Sequence, residues 1–161
     1  MRNPAAIRTA EHGEREMGRV LLLEPYEEIR NLVAAIMRRA GHEVVLVLDG
    51  NGAVEAMERE YFSCVVVGAP VTVHAGGEKV MFLEYIERHC PEWRPCMIVM
   101  TSYVDSMSVL SVAQRLDVCA VFAKPFSAPE LMAAMDECFA GRRPSQRWYG
   151  FPETLVAQLE A

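Results

Sequence analysis

Residues 20–33 read V-L-L-L-E-P-Y-E-E-I-R-N-L-V, and this stretch decides the fold. Its first four residues are apolar without alternation, as expected of a parallel strand covered on both faces. Glu27 and Glu28 then fall where the first turn of a helix favours carboxylates. Apolar residues follow at helical spacing through Ile29, Leu32, Val33, Ile36 and Met37. Arg38 and Arg39 suit the last turn, and Gly41 suits the position just past it. A buried strand leading directly into an amphipathic helix is the first half of a strand–helix–strand unit.

The pattern repeats outward from this unit. Residues 43–48 (E-V-V-L-V-L) read as a second strand, closed by the turn Asp49-Gly50-Asn51-Gly52. Residues 54–61 read as a short helix and 64–67 (C-V-V-V) as a third, buried strand ending at Gly68. Residues 69–77 carry Pro, Thr, His and two glycines and read as a loop; 78–89 are expected to be helical. A turn over 91–95 precedes a fourth strand at 97–100, a weaker helix at 105–116 and a fifth strand at 118–123. Ser127 with Glu130 three residues on makes a capping box, with Pro129 in the tolerant first turn of the last body helix. Strands joined by helical crossovers run parallel, so the fold class expected is α/β, a doubly wound five-stranded parallel sheet with helices on both faces. Such sheets place functional groups at the carboxyl ends of their strands, here marked by Glu24, Gly68, Thr101 and Lys124.

The 161 residues suffice for one domain with a real core and leave little room for two. We expect a flexible tail over 1–18, a single domain over 19–141 and a C-terminal extension over 142–161 in which residues 152–161 read as a short amphipathic helix. The net charge of −6 argues against non-specific binding to nucleic acid or anionic membrane, both of which reward basic surfaces. No apolar run approaches the roughly 20 residues of a membrane helix, and residues 1–18 lack an apolar signal core, so a cytoplasmic location is expected. The five cysteines are odd in number and show no C-x-x-C pair. They read as small buried hydrophobes of a reducing compartment, with a redox or metal role as the lesser alternative.

Four segments together carry a family resemblance: residues 21–30 (L-L-L-E-P-Y-E-E-I-R), 40–44 (A-G-H-E-V), 98–102 (I-V-M-T-S) and 124–126 (K-P-F). In this order, on these elements, they resemble the hallmark segments of response-regulator receiver domains of two-component signal transduction, over about residues 19–141. The resemblance implies a flavodoxin-like fold. It also implies self-phosphorylation on an aspartate after the third strand, with two acids after the first strand helping to hold Mg²⁺. A hydroxyl after the fourth strand and a lysine after the fifth then bind the phosphoryl oxygens.

Position by position the match is partial. Glu24 matches the first metal-binding acid, but Pro25 stands at the second and has no carboxylate. Thr101 matches the hydroxyl and Lys124 the lysine. Gly68 stands at the nucleophile, no Asp or Glu occurs between Ser63 and Gly77, and no Asp occurs from Gly50 to Val104. The expectation is therefore a pseudo-receiver: no phosphoaspartate chemistry, no enzyme, no metal and no cofactor. The family's switch aromatic, three before the lysine, is replaced by Val121 with Phe122 beside it.

The leftover groups admit two readings. Lys124 is expected to pair with Glu24, the only acid left at the site, with Thr101 and Lys124 merely stabilising their loops. Alternatively Gly68, Thr101 and Lys124 make an anion pocket that gates a ligand-dependent regulator. His74 reads as a solvated loop histidine, and Asp49-Gly50-Asn51-Gly52 lacks the dinucleotide fingerprint. In the extension, Arg142, Arg143 and Arg147 beside Trp148, Tyr149 and Phe151 either form a partner surface or fold back to cap the domain. By the resemblance, the docking face draws on residues 103–116, including Tyr103, with 118–123 and 128–139. The partners expected are a sensor kinase, another regulator or effector of a phosphorelay, or a second copy, with no nucleic acid and no membrane.

Overall fold

The computed structural model describes residues 8–9, 16–90, 96–102, 106–140 and 146–160. Two short strands, β1 (Arg8–Thr9) and β2 (Glu16–Met17), pair antiparallel. The body then alternates: β3 (Arg19–Leu23), α1 (Glu27–Arg39), β4 (Glu43–Val47), α2 (Gly50–Arg59) and β5 (Cys64–Gly68). A hairpin of β6 (Thr72–Ala75) and β7 (Glu78–Met81) leads into α3 (Phe82–His89). After it come β8 (Cys96–Thr101), α4 (Ser106–Leu116), β9 (Ala120–Ala123) and α5 (Ala128–Phe139), then β10 (Arg147–Tyr149) and α6 (Glu153–Glu160).

The main sheet is parallel throughout, in the order β10-β9-β8-β5-β3-β4. The doubly wound fold expected from the sequence is present, with six strands rather than five. Strand residues alternate between two core layers. Leu21, Leu23, Val65, Val67 and Val99 face a layer that includes Ala53, Phe82, Leu83, Ile86 and Leu110 from α2, α3 and α4. Val20, Leu22, Val66, Ile98 and Met100 face Val33, Met37, Leu131, Met135 and Phe139 from α1 and α5. Burying each such large aliphatic or aromatic side chain contributes roughly 1.5–3 kcal/mol, so both layers are needed to hold a sheet whose central strands have no exposed face.

Four local expectations are corrected. The stretch read as a loop at 69–77 and the first residues of the helix read at 78–89 instead form the β6–β7 hairpin, and α3 begins only at Phe82. The hairpin turns at Gly76 and Gly77, with φ of 60° and 78°, the left-handed pair that a tight two-residue hairpin turn requires. Second, Asp49 does not close a turn but caps a helix: its Oδ1 accepts from the Gly52 N–H at 2.7 Å, and α2 starts at Gly50. Asn51 of that first turn then clamps the hairpin, donating to the His74 carbonyl and accepting from the His74 N–H, both at 3.0 Å.

Third, hydrogen-bonded structure is present before Arg19 among the described residues. Gly18 donates to His42 Nδ1 at 3.3 Å and accepts from the Glu43 N–H at 3.0 Å. Fourth, the cysteines are not solitary fillers. Cys96 and Cys138 form a disulfide linking β8 to α5, with a Cα–Cα separation of 5.8 Å. Cys64 is wholly buried, and desolvation, reinforced by Cys119, pushes its thiol far above the ordinary range. The small-hydrophobe reading holds for Cys64.

Strand β10 comes from the extension. It pairs with β9 in the register Arg147↔Ala120, Trp148↔Val121 and Tyr149↔Phe122. The Tyr149 ring stacks on Phe122, centroids 4.4 Å apart and planes 4° off parallel. Trp148, Phe151 and Leu155 pack against one core layer, and Leu159 of α6 is buried in it. Gln146 Nε2 donates to the carbonyls of Ala113 and Val118, both at 3.0 Å, closing the joint between α4 and β9.

Candidate functional site

The carboxyl ends of β3, β5, β8 and β9 converge, as the sheet order requires. Glu24 follows β3, Gly68 ends β5, Thr101 ends β8 and Lys124 follows β9. The backbone fixes their spacing: the Ala69 N–H donates to the Met100 carbonyl at 2.7 Å, and the Lys124 N–H to the Thr101 carbonyl at 2.6 Å. The peptide bonds Ala69–Pro70 and Lys124–Pro125 are cis.

Glu24 is the centre of the site. Its side chain is fully buried, and Oε1 lies 3.0 Å from Lys124 Nζ, whose own side chain is only 15% exposed. Oε2 accepts from the Tyr26 N–H at 2.9 Å. On its other side the Lys124 ammonium lies 5.2 Å from the centroid of the exposed Tyr26 ring. Arg30 Nη1 donates to the carbonyls of Glu24 (3.0 Å) and Pro25 (3.3 Å), tying the turn to α1. A carboxylate and an ammonium taken out of water together are tolerable only as a pair, and the geometry supplies the pair.

Gly68 explains why Glu24 can sit there. A Cβ built on Gly68 would overlap Glu24 Oε1 and stand 2.5 Å from Cδ. The carboxylate of Glu24 thus occupies the space into which any side chain at position 68 must grow. Thr101 is also fully buried, and its Oγ1 has no hydrogen-bond partner among the described residues.

The sequence thus brings Glu24, Pro25, Gly68, Thr101 and Lys124 to one end of the sheet. It did not reveal that Glu24 fills the gap left at Gly68. This arrangement does not fit Mg²⁺. A hard divalent cation wants several oxygen ligands, Pro25 offers no side-chain donor, and the one carboxylate is already held by an ammonium and a backbone N–H. No carboxylate at position 68 can act as a nucleophile.

The switch-like positions are both buried. Val121 is buried in one core layer and Phe122 in the other, where it meets Phe126 edge-on at 6.1 Å and Tyr149 face-on. Trp148, Tyr149 and Phe151 fold back onto their own domain, the capping alternative of the two readings. Tyr103, Arg142 and Arg143 lie outside the described residues. His74 sits on β6 with its backbone engaged by Asn51. The face expected to dock partners is altered as well: β10 lies along β9, and α6 lies against α4. A signal for β10 was available in the aromatic triplet Trp148, Tyr149 and Phe151, but three residues are too few to read as a strand.

No family model and no curated protein matches the sequence. Solved structures do match, among them the following at low identity. A CheY-like response regulator receiver domain from Methanospirillum hungatei is 18% identical with a TM-score of 0.65, covering 76% of this chain and 94% of that one. The receiver domain of a sensor histidine kinase from Pseudomonas aeruginosa, with magnesium coordinated in its active-site cleft, is 23% identical with a TM-score of 0.61, covering 76% and 97%. NtrX from Brucella abortus is 20% identical with a TM-score of 0.61; the match covers 76% of this chain but only 27% of that longer one. The chain therefore has the flavodoxin-like fold of CheY-type receiver domains.

Proposed function

We propose that this chain is a non-enzymatic, phosphorylation-independent signalling module of two-component type, acting by binding a protein partner or a second copy. One observation carries the reading: the Glu24 carboxylate, paired with Lys124, fills the place where a side chain at Gly68 would be. The lysine that would meet a phosphoryl oxygen already has its counterion, and no acceptor carboxylate stands opposite it. With Val121 and Phe122 fixed in the two core layers, binding is constitutive rather than switched. Because β10 and α6 lie on the β9–α4 face, a partner meets a surface that includes the chain's own extension.

The second reading, an anion-gated regulator, is favoured by one fact only, the buried and unpartnered Thr101 hydroxyl. An incoming anion would have to displace Glu24 from Lys124 and leave a buried carboxylate beside it. The test is to titrate the chain with acetyl phosphate, and separately with beryllofluoride, in the presence of Mg²⁺ while following amide chemical shifts and intact mass. The expected result is no adduct and no saturable shift at Gly68, Thr101 or Lys124. A saturable shift without an adduct would install the anion-gated reading, and a phosphoryl adduct would overturn both.

A further inference from the structure

At the opposite end of the sheet from Glu24, three thiol-bearing residues from three elements converge. Cys96 is the first residue of β8, Cys119 immediately precedes β9, and Cys138 lies near the end of α5. Their Sγ atoms all lie within 4.8 Å of one another, and Cys119 Sγ is 2.9 Å from Cys96 Sγ. Backbone bonds hold the frame: the Cys119 N–H donates to the Met97 carbonyl at 2.8 Å, and the Arg147 N–H to the Cys119 carbonyl at 3.3 Å. Beside Cys119 and Cys138 opens a cleft of about 10 Å³, room for a single water-sized species, also lined by Glu137 and Arg147.

We propose that Cys96, Cys119 and Cys138, in their reduced form, bind one thiophilic cation, taken here as Zn²⁺. Tetrahedral thiolate ligands at about 2.3 Å from zinc stand about 3.8 Å from one another, a spacing this cluster reaches with small side-chain rotations. Soft sulfur ligands select Zn²⁺ or Cu⁺ over Mg²⁺ or Ca²⁺. Three protein ligands leave a fourth position open toward the cleft, for water. Three thiolates around Zn²⁺ leave one net negative charge, and the Arg147–Glu137 ion pair on the cleft wall, 3.4 Å apart, adds none of its own.

The metal and the disulfide exclude each other, because the Cys96–Cys138 bond removes two of the three ligands. A dithiol or glutathione-type reductant delivers two electrons and two protons to that bond, giving three thiols. Zn²⁺ binding then releases three protons, one from each sulfur. The site therefore holds α5 to β8 in either condition, by a covalent bond when oxidised and by an ion when reduced.

The full chain, reduced with a non-thiol phosphine, is titrated with Zn²⁺ against a chromophoric chelator and with Co²⁺ by absorption. The expected result is one ion per chain, with thiolate-to-cobalt charge-transfer bands. Cys96→Ser, Cys119→Ser and Cys138→Ser should each lower affinity ~100-fold or more, at least the cost of losing a partner that merely supports a ligand. Cys90→Ser, outside the cluster, should leave affinity unchanged. The oxidised chain should bind no ion at this site. Cys119 is outside the disulfide, so Cys119→Ser can still form that link when oxidised, which checks its fold before reduction and separates ligand loss from unfolding. Substoichiometric binding by the folded, reduced chain, or unaltered affinity in Cys119→Ser, overturns the proposal.

Discussion

Glu24 and Gly68, forty-four residues apart, one just past β3 and the other at the end of β5, occupy one side-chain volume between them: the carboxylate of the first fills the space the second leaves empty. Replacing Gly68 by Asp therefore does not restore an acceptor site but inserts a second carboxylate into a filled one. Gly68→Asp should destabilise the chain by about 1–3 kcal/mol, the ordinary range for overpacking a core. Adding Glu24→Ala should recover part of that loss. Denaturant midpoints of the two single variants and the double variant check it, and strict additivity would show that the volumes are independent.

The buried ion pair makes a separate prediction. Removing one partner leaves the other charge buried without compensation, so Lys124→Ala should cost about 3 kcal/mol or somewhat less, given its slight exposure. Glu24→Leu combined with Lys124→Met replaces the pair by apolar groups of similar size and should lie close to wild type. A double-mutant cycle in urea measures the coupling. A coupling below about 0.5 kcal/mol, the level of exposed pairs, would mean the two groups do not depend on each other.

The extension is predicted to be part of the fold. Tyr149→Ala removes a stacked ring from Phe122 and should cost about 1.5–3 kcal/mol. Ending the chain at residue 145 strips β9 of its neighbour, exposing N–H and C=O groups that pair readily with another chain. Sedimentation should then find more self-association than the full chain shows at the same concentration.

Cys64 gives a pH dependence with a definite sign. Its folded-state pKa is raised above the ordinary 9.0 by desolvation, so the folded chain keeps a proton that the unfolded chain releases. Its contribution to stability is complete below pH 9 and declines above it, by at most about 1.4 kcal/mol per pH unit. Thermal or urea unfolding between pH 8 and 10.5 should show a shallower decline in Cys64→Ala than in wild type. Parallel profiles would place Cys64 in contact with solvent.

Most of the body was legible in the sequence because its signals are local. The apolar runs at β3, β5, β8 and β9 and the Ser127 cap, where Oγ accepts from the Glu130 N–H at 3.3 Å, need only their own neighbours to be read. The β6–β7 hairpin was also local: Gly76-Gly77 between two four-residue strands is a strong turn signal, obscured by the helical spacing of Val80, Leu83 and Ile86. What could not be read depends on partners far along the chain. Three residues such as Arg147–Tyr149 become a strand only where β9 presents a bare edge. Cys96 acquires a meaning only when the fold brings up Cys119 and Cys138, twenty-three and forty-two residues later. The candidate site divides in the same way. The approximate positions of Glu24, Gly68, Thr101 and Lys124 followed from strand ends, whereas the filling of one residue's space by another's side chain required the assembled sheet.

The Cys96–Cys138 bond has a mechanical consequence. It closes a loop of 42 residues that contains nearly all of β8, the whole of α4 and β9, and most of α5. A chain pulled by its two ends can pay out that loop only after the bond is cut. At about 3.4 Å per extended residue, some 140 Å of contour length stays hidden in the oxidised chain and is released by reduction. Two sulfur atoms thus set how far this small protein can be stretched.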